Sequence, residues 1–260
     1  MPPQREKILN LPEVVTGLIV LLGVIQAFVA NAPDSLADGF FETFALIPAR
    51  LSYLSDPDMV IRKIETLDAY SPVINAQVAA VLGARPFAYV TLFSYAFLHG
   101  GWTHYFVNAL TLAAFGAPVA RRLGASAFLS FVAACAVAGG VLHFTLHPLD
   151  FTPMIGASAA ISGTMAAIVR FAFEPGARLG EIGRFDGRGN DHVGTTSLWR
   201  LRENRQAMIF VVAWFGVNFL MGAFPQFAGS TEAVAWEAHI GGFLFGLFSF
   251  DAFERLARRR

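Results

Sequence analysis

Six apolar runs separated by polar punctuation organise this chain. Residues 14–30 form the first, and about 20 helical residues cross the hydrocarbon core of a bilayer. Polar residues 1–13 precede it. From 31 to 101, clusters such as SDPD and RKIE alternate with patches such as FFETFALIPARL. This stretch is too long and too patterned for a linker, so it predicts a folded first loop of short interfacial helices. Its apolar end, 86–101, dips into the membrane and breaks at His99-Gly100-Gly101. A second span starts near Trp102 and closes at Arg121 and Arg122. The third covers about 126–147, and the connection HPLDFTPM leads to a fourth over 155–173, with Ser158 in its first turn. Residues 174–206 are rich in Gly and Arg without periodicity and predict a solvated loop. A fifth span covers 207–224, a sixth 235–250, and a polar tail, 251–260, ends the chain.

Composition agrees with the pattern. Of 260 residues, 55% are hydrophobic and 15% charged, where soluble domains carry roughly 25% charge, so the class is an all-α integral membrane protein. The formal net charge is zero, which gives no electrostatic footprint for nucleic acid. The single Cys135 lies in the apolar run FVAACAVAG and reads as a small buried hydrophobe. Fifteen of the 19 Lys and Arg fall in the two tails, the second-to-third connection and the 174–206 loop extended to Arg170. By the positive-inside rule that side is cytoplasmic, with both termini on it.

This orientation brings chemistry together. Spans two, four and six enter from the same outer face, and each has a polar group in its first turns: His104 with Asn108 at i+4, Ser158, and His239. Such groups at membrane depth face a bundle interior or a watery cavity. A serine needs a base, and His239 is of the right type. Ser158 in a Gly-Ala-Ser-Ala setting also fits a packing residue, because small side chains let membrane helices approach. Gly242 and Gly246 follow His239 at i+3 and i+7, while Ala159 and Gly163 lie four apart on the fourth span. Small faces on both helices permit the approach that a serine–histidine contact needs. The Ser158 backbone N–H, the Asn108 amide and the His104 ring are candidate donors to an oxyanion.

The motifs HGGWTHYFVNAL, GASAAISG and AHIGGFLFG, in that order on spans two, four and six, resemble those of the rhomboid family of intramembrane serine proteases. The resemblance covers nearly the whole chain, 1–260, as one domain. It implies a six-helix bundle in which Ser158 is the nucleophile and His239 its partner, a dyad without aspartate. His104, Asn108 and the Ser158 amide would form the oxyanion hole, with Gly156 keeping the backbone clear ahead of the nucleophile. It also implies substrates that are transmembrane segments, cut near the outer face, no cofactor or metal, and a multi-pass location such as a bacterial inner membrane. Two positions depart from the family pattern: Ala159 stands where glycine is usual, and Ser162 where an aromatic often supports the histidine. Arg50 in IPARL is the nearest match to an arginine that anchors the first loop.

Two other readings stay open on the sequence. His143 and His147, at i and i+4 near the outer end of the third span, suit a metal and suggest a zinc-dependent membrane hydrolase. A non-catalytic relative that only binds transmembrane helices is the other. His99 beside the glycine break and His192 in the charged loop are expected to be local or solvated.

Overall fold

The computed structural model describes residues 11–67, 71–83, 86–174, 194–223 and 235–259. Most of the N-terminal tail, the centre of the 174–206 loop with His192, and the outer end of the fifth span from residue 224 lie outside the described residues.

The first span is α1 (Glu13–Asn31), started by Pro12 and Glu13, with the acid favourably placed at the positive helix end. Four short helices follow: α2 (Asp34–Phe44), α3 (Pro48–Ser55), α4 (Pro57–Ile64) and α5 (Pro72–Leu82). Proline opens the last three, where its missing N–H costs nothing. Asp56 accepts from Met59 N at 3.1 Å and Ser71 from Ile74 N at 3.4 Å, capping α4 and α5. Two 3₁₀ turns, Pro86–Val90 and Tyr95–Phe97, flank α6 (Thr91–Ser94) in the apolar end of the loop.

Gly101, with φ +144°, takes the backbone into the second span. That span is α7 (Trp102–Thr111), a π-helical turn at Leu112–Gly116, and α8 (Ala117–Leu123). Then come α9 (Ala125–Leu146), α10 (Ser158–Val169), α11 (Leu198–Leu201), α12 (Arg205–Ala223) and α13 (Trp236–Arg258). Among the described residues, three unbroken helices are long and apolar enough to cross a membrane: Glu13–Asn31, Ala125–Leu146 and Arg205–Gly222. The fourth span is shorter than its apolar run, because α10 begins only at Ser158. Residues 251–258, expected as tail, continue α13.

Helix α10 sits at the centre, and its neighbours α9 and α13 reach it over glycine. A Cβ added at Gly242 would strike the Ala159 carbonyl, and one at Gly246 would lie 2.7 Å from Gly163 Cα. A Cβ at Gly163 would strike Cys135, which is buried on α9. Backbones this close exchange dispersion contacts along their length, the usual cohesion of membrane helices.

At the other end of the bundle Arg170, counted with the solvated loop by its charge, is instead 1% exposed. Its guanidinium donates to Thr196 O at 2.8 Å, Leu247 O at 2.6 Å and the Asp251 carboxylate at 2.7 Å. A buried cation persists only when paired and hydrogen-bonded in this way. Nearby, Glu254 accepts from Arg122 Nε at 2.8 Å and from the Thr195 hydroxyl at 2.7 Å, which in turn accepts from Arg122 at 2.8 Å. These polar locks explain why α13 outlasts its apolar run.

Candidate active site

The segment before Ser158 is held from the first loop. Leu46 and Met154 exchange both backbone hydrogen bonds, at 3.1 and 2.8 Å. Ala49 N donates to Asp150 O at 2.9 Å, and the Ser52 hydroxyl to Pro148 O at 2.7 Å. Tyr95 accepts from Gly156 N at 3.0 Å through its carbonyl, while its hydroxyl donates to Ala136 O on α9 at 2.8 Å. Arg50, 6% exposed, ties α3 to α5 by donating to Ala80 O at 3.3 Å.

Gly156 then turns the chain into α10 with φ +121°, a conformation that L side chains rarely adopt. A Cβ there would stand 2.8 Å from His104 Nε2 and 3.7 Å from Ser158 Oγ. The bare glycine therefore keeps open the space that His104 and Ser158 share. His104 Nδ1 accepts from Gly100 N at 3.4 Å, which leaves Nε2 carrying the proton and facing that space. Asn108, 5% exposed on the same helix, donates one amide hydrogen to His104 O at 2.9 Å and keeps a second.

Ser158 Oγ lies 2.7 Å from His239 Nε2, on helices whose sequence positions are 81 apart. On the far side of the ring, His239 Nδ1 lies 2.6 Å from Asn218 Oδ1. Asn218 spends its amide on Trp214 O at 2.8 Å, so its oxygen faces the histidine. With a neutral imidazole, only one proton arrangement satisfies all three bonds. Nδ1–H donates to Asn218, and Nε2 accepts from the serine hydroxyl. Asn218 was missed by sequence reasoning; a lone asparagine in an apolar span is a weak signal, though a real one.

Ser162 does not stand in for the absent aromatic, since its hydroxyl donates to Ser158 O at 2.8 Å. Phe243, one turn beyond His239, is stacked on Trp214 with centroids 4.1 Å apart. Gly163, Gly242 and Gly246 occupy the helix contacts described above. His143 and His147 are gathered with Glu237 on α13, with His147 Nε2 2.9 Å from the carboxylate. His99 is 2% exposed and its ring meets that of His104 edge-on at 5.1 Å.

The rhomboid domain model matches residues 86–253, well over half the chain. Among curated proteins, "Putative rhomboid protease YdcA" of Bacillus subtilis (strain 168) is 27% identical over 125 residues. That alignment covers 47% of this chain and 62% of the relative, so less than two thirds of the relative's length is spanned. With the apolar helices of the bundle, these matches identify an integral membrane protein that belongs to the rhomboid family.

Proposed function

We propose that this chain is an intramembrane serine endopeptidase that hydrolyses a peptide bond within a membrane-spanning segment of another protein. The observation that carries the reading is the 2.7 Å contact between Ser158 Oγ and His239 Nε2 at the end of the bundle where α10 and α13 begin. His239 takes the Ser158 proton as the hydroxyl oxygen adds to the substrate carbonyl carbon. Negative charge then develops on the carbonyl oxygen, and in this reading the His104 Nε2–H, the second Asn108 amide hydrogen and the Ser158 backbone N–H donate to it. The imidazolium gives its proton to the leaving amine as the C–N bond breaks. Water, deprotonated by the same ring, later releases the acyl group and restores Ser158. Asn218 accepts from Nδ1–H throughout and so fixes the tautomer in which Nε2 is the base.

A bilayer core shields the peptide bonds of a helix behind their own hydrogen bonds. The substrate must therefore unwind locally where it meets Ser158, near the outer face, and helix-destabilising residues there favour cleavage. Six spans and cytoplasmic termini in a bacterial inner membrane complete the proposed topology. The role of the outer end of the fifth span as a lateral gate is part of the same reading.

Labelling with a serine-directed fluorophosphonate in membranes tests it. Wild type is expected to label, and Ser158→Ala and His239→Ala are not. Undiminished labelling of Ser158→Ala would remove the nucleophile.

A further inference from the structure

Beside the dyad, and separate from its chemistry, the bundle gathers a second set of ligating groups. His143 and His147 lie at the end of α9, and Glu237 lies in the first turn of α13, two residues before His239. One ligand atom from each lies within 4.8 Å of the others. His147 Nε2 is 2.9 Å from Glu237 Oε1, and His143 Nδ1 is 3.8 Å from Oε2.

Tetrahedral zinc with bonds of about 2.0–2.2 Å holds its donor atoms about 3.3–3.6 Å apart. The two histidine–carboxylate separations, one to Oε1 and one to Oε2, lie on either side of that spacing, and all three ligand atoms stay within 4.8 Å, so side-chain rotations of about an ångström would close the set. Two imidazoles and one carboxylate are also the donor types that zinc and its neighbours in the transition series favour.

A plain ion pair accounts for only part of the arrangement. It satisfies His147, which is half-exposed, but leaves His143 with a side chain 7% exposed and a buried Nδ1 that has no hydrogen-bond partner. That nitrogen is aimed at Glu237 from beyond hydrogen-bond reach. A buried ring nitrogen without a partner is costly, and a metal between the three groups would satisfy it. Asp150, the remaining acid nearby, is turned to its own loop by accepting from Thr152 N at 2.8 Å.

The geometry points to a binding site for a divalent transition metal of the zinc class, held by His143 Nδ1, His147 Nε2 and a Glu237 oxygen, with water as the fourth ligand. Each histidine binds as a neutral ring, His143 protonated on Nε2 and His147 on Nδ1. The metal clamps the end of α9 to the start of α13, where a Cβ at Gly241 would already lie 2.7 Å from Ala138 O. Its site is not the nucleophile's, and the inference holds whether or not Ser158 ever forms an acyl-enzyme.

The full chain, purified in detergent and stripped with a chelator, should take up one zinc per chain on dialysis against about 10 μM free zinc, an affinity range modest for a three-ligand site. Cobalt(II) in its place should give the intense visible bands of a tetrahedral site. Losing a ligand should cost at least what losing an outer-shell partner does, so Glu237→Gln and His147→Ala should each weaken binding by roughly tenfold or more. Both should still unfold cooperatively on heating, and His104→Ala should bind as wild type does. Failure of wild type to bind stoichiometric zinc, affinity unchanged in both ligand variants, or loss of binding in His104→Ala would each overturn the site. The readout is metal content, so a failed protease assay leaves it intact.

Discussion

Asn218 Oδ1 lies 2.6 Å from His239 Nδ1, and the two residues reach each other from different helices, α12 and α13. A histidine held on one side only is free to swing about its Cβ bond, and the asparagine removes that freedom. Asn218→Ala is expected to lower kcat by roughly 30-fold, part of the ~10²–10⁴-fold that a positioned acid–base contributes. KM should change little, because Asn218 meets the ring and not the substrate. Asn218→Asp, which keeps the acceptor, should recover most of the rate. Steady-state cleavage of a transmembrane substrate in vesicles separates the two constants.

The second expectation compares two glycines. At Gly242 an added Cβ would strike the Ala159 carbonyl, a backbone atom that cannot step aside. Gly242→Ala should force α13 away from α10, cost about 1–3 kcal/mol of stability as overpacking does, and reduce activity by lengthening the Ser158–His239 contact. Gly216, on α12, has nothing within 4 Å of such a Cβ. Gly216→Ala should stabilise the helix by about 0.5–1 kcal/mol and leave cleavage unchanged. Thermal unfolding and cleavage rates of the two variants, measured side by side, check both signs.

How much of this could be read from sequence follows the range of each signal. Hydropathy and helix periodicity are local, and they place α1 and α9 within a residue or two of where they lie. They fail where a polar contact overrides them. Helix α13 runs past Phe250 to Arg258 because Glu254 and Asp251 find partners on other elements, which no window along the chain can sense. Helix α10 starts late because Gly156, held by Tyr95, keeps the segment before it extended. Ser158 and His239 were legible as candidates because each sits in a motif with small neighbours. Asn218 has no local motif, and its contact with His239 exists only once α12 is packed beside α13. The histidine pair His143 and His147 was visible as an i, i+4 spacing, but Glu237 joins it only in three dimensions.

Acid should loosen the opposite end of the bundle. Burial alone would raise the Glu254 pKa, but hydrogen bonds from Thr195 and Arg122, the charge of Arg122 and a bond from Arg258 outweigh it and bring it below its ordinary value of 4.5. A depressed carboxylate pKa means that folding favours the ionised form. Its stabilisation is fully present above the unfolded value and is lost as pH falls through the lower, folded one. Melting in detergent should therefore be level near neutrality and fall on acidification below the ordinary carboxylate value of 4.5, and Glu254→Gln should lessen that fall. Glu254→Ala should lower the melting temperature at neutral pH, because it removes the carboxylate that accepts from both Arg122 and Thr195.

Gly156 tests the proposed oxyanion site without substituting either member of the proposed dyad. Its φ of +121° disfavours any side chain, and the Cβ of alanine would stand 2.8 Å from His104 Nε2, inside van der Waals contact. Relief requires the His104 ring to turn or the 153–157 segment to shift, and either removes a donor from the developing negative charge. One lost donor costs about 10²–10³ in kcat in sites of this kind. Gly156→Ala is therefore expected to lose cleavage by at least about 100-fold. Ser158 and His239 keep their own helices in this variant, so fluorophosphonate labelling should be slowed and not abolished. If Gly156→Ala cleaved at the wild-type rate, His104 could not be acting from the position it holds beside Ser158.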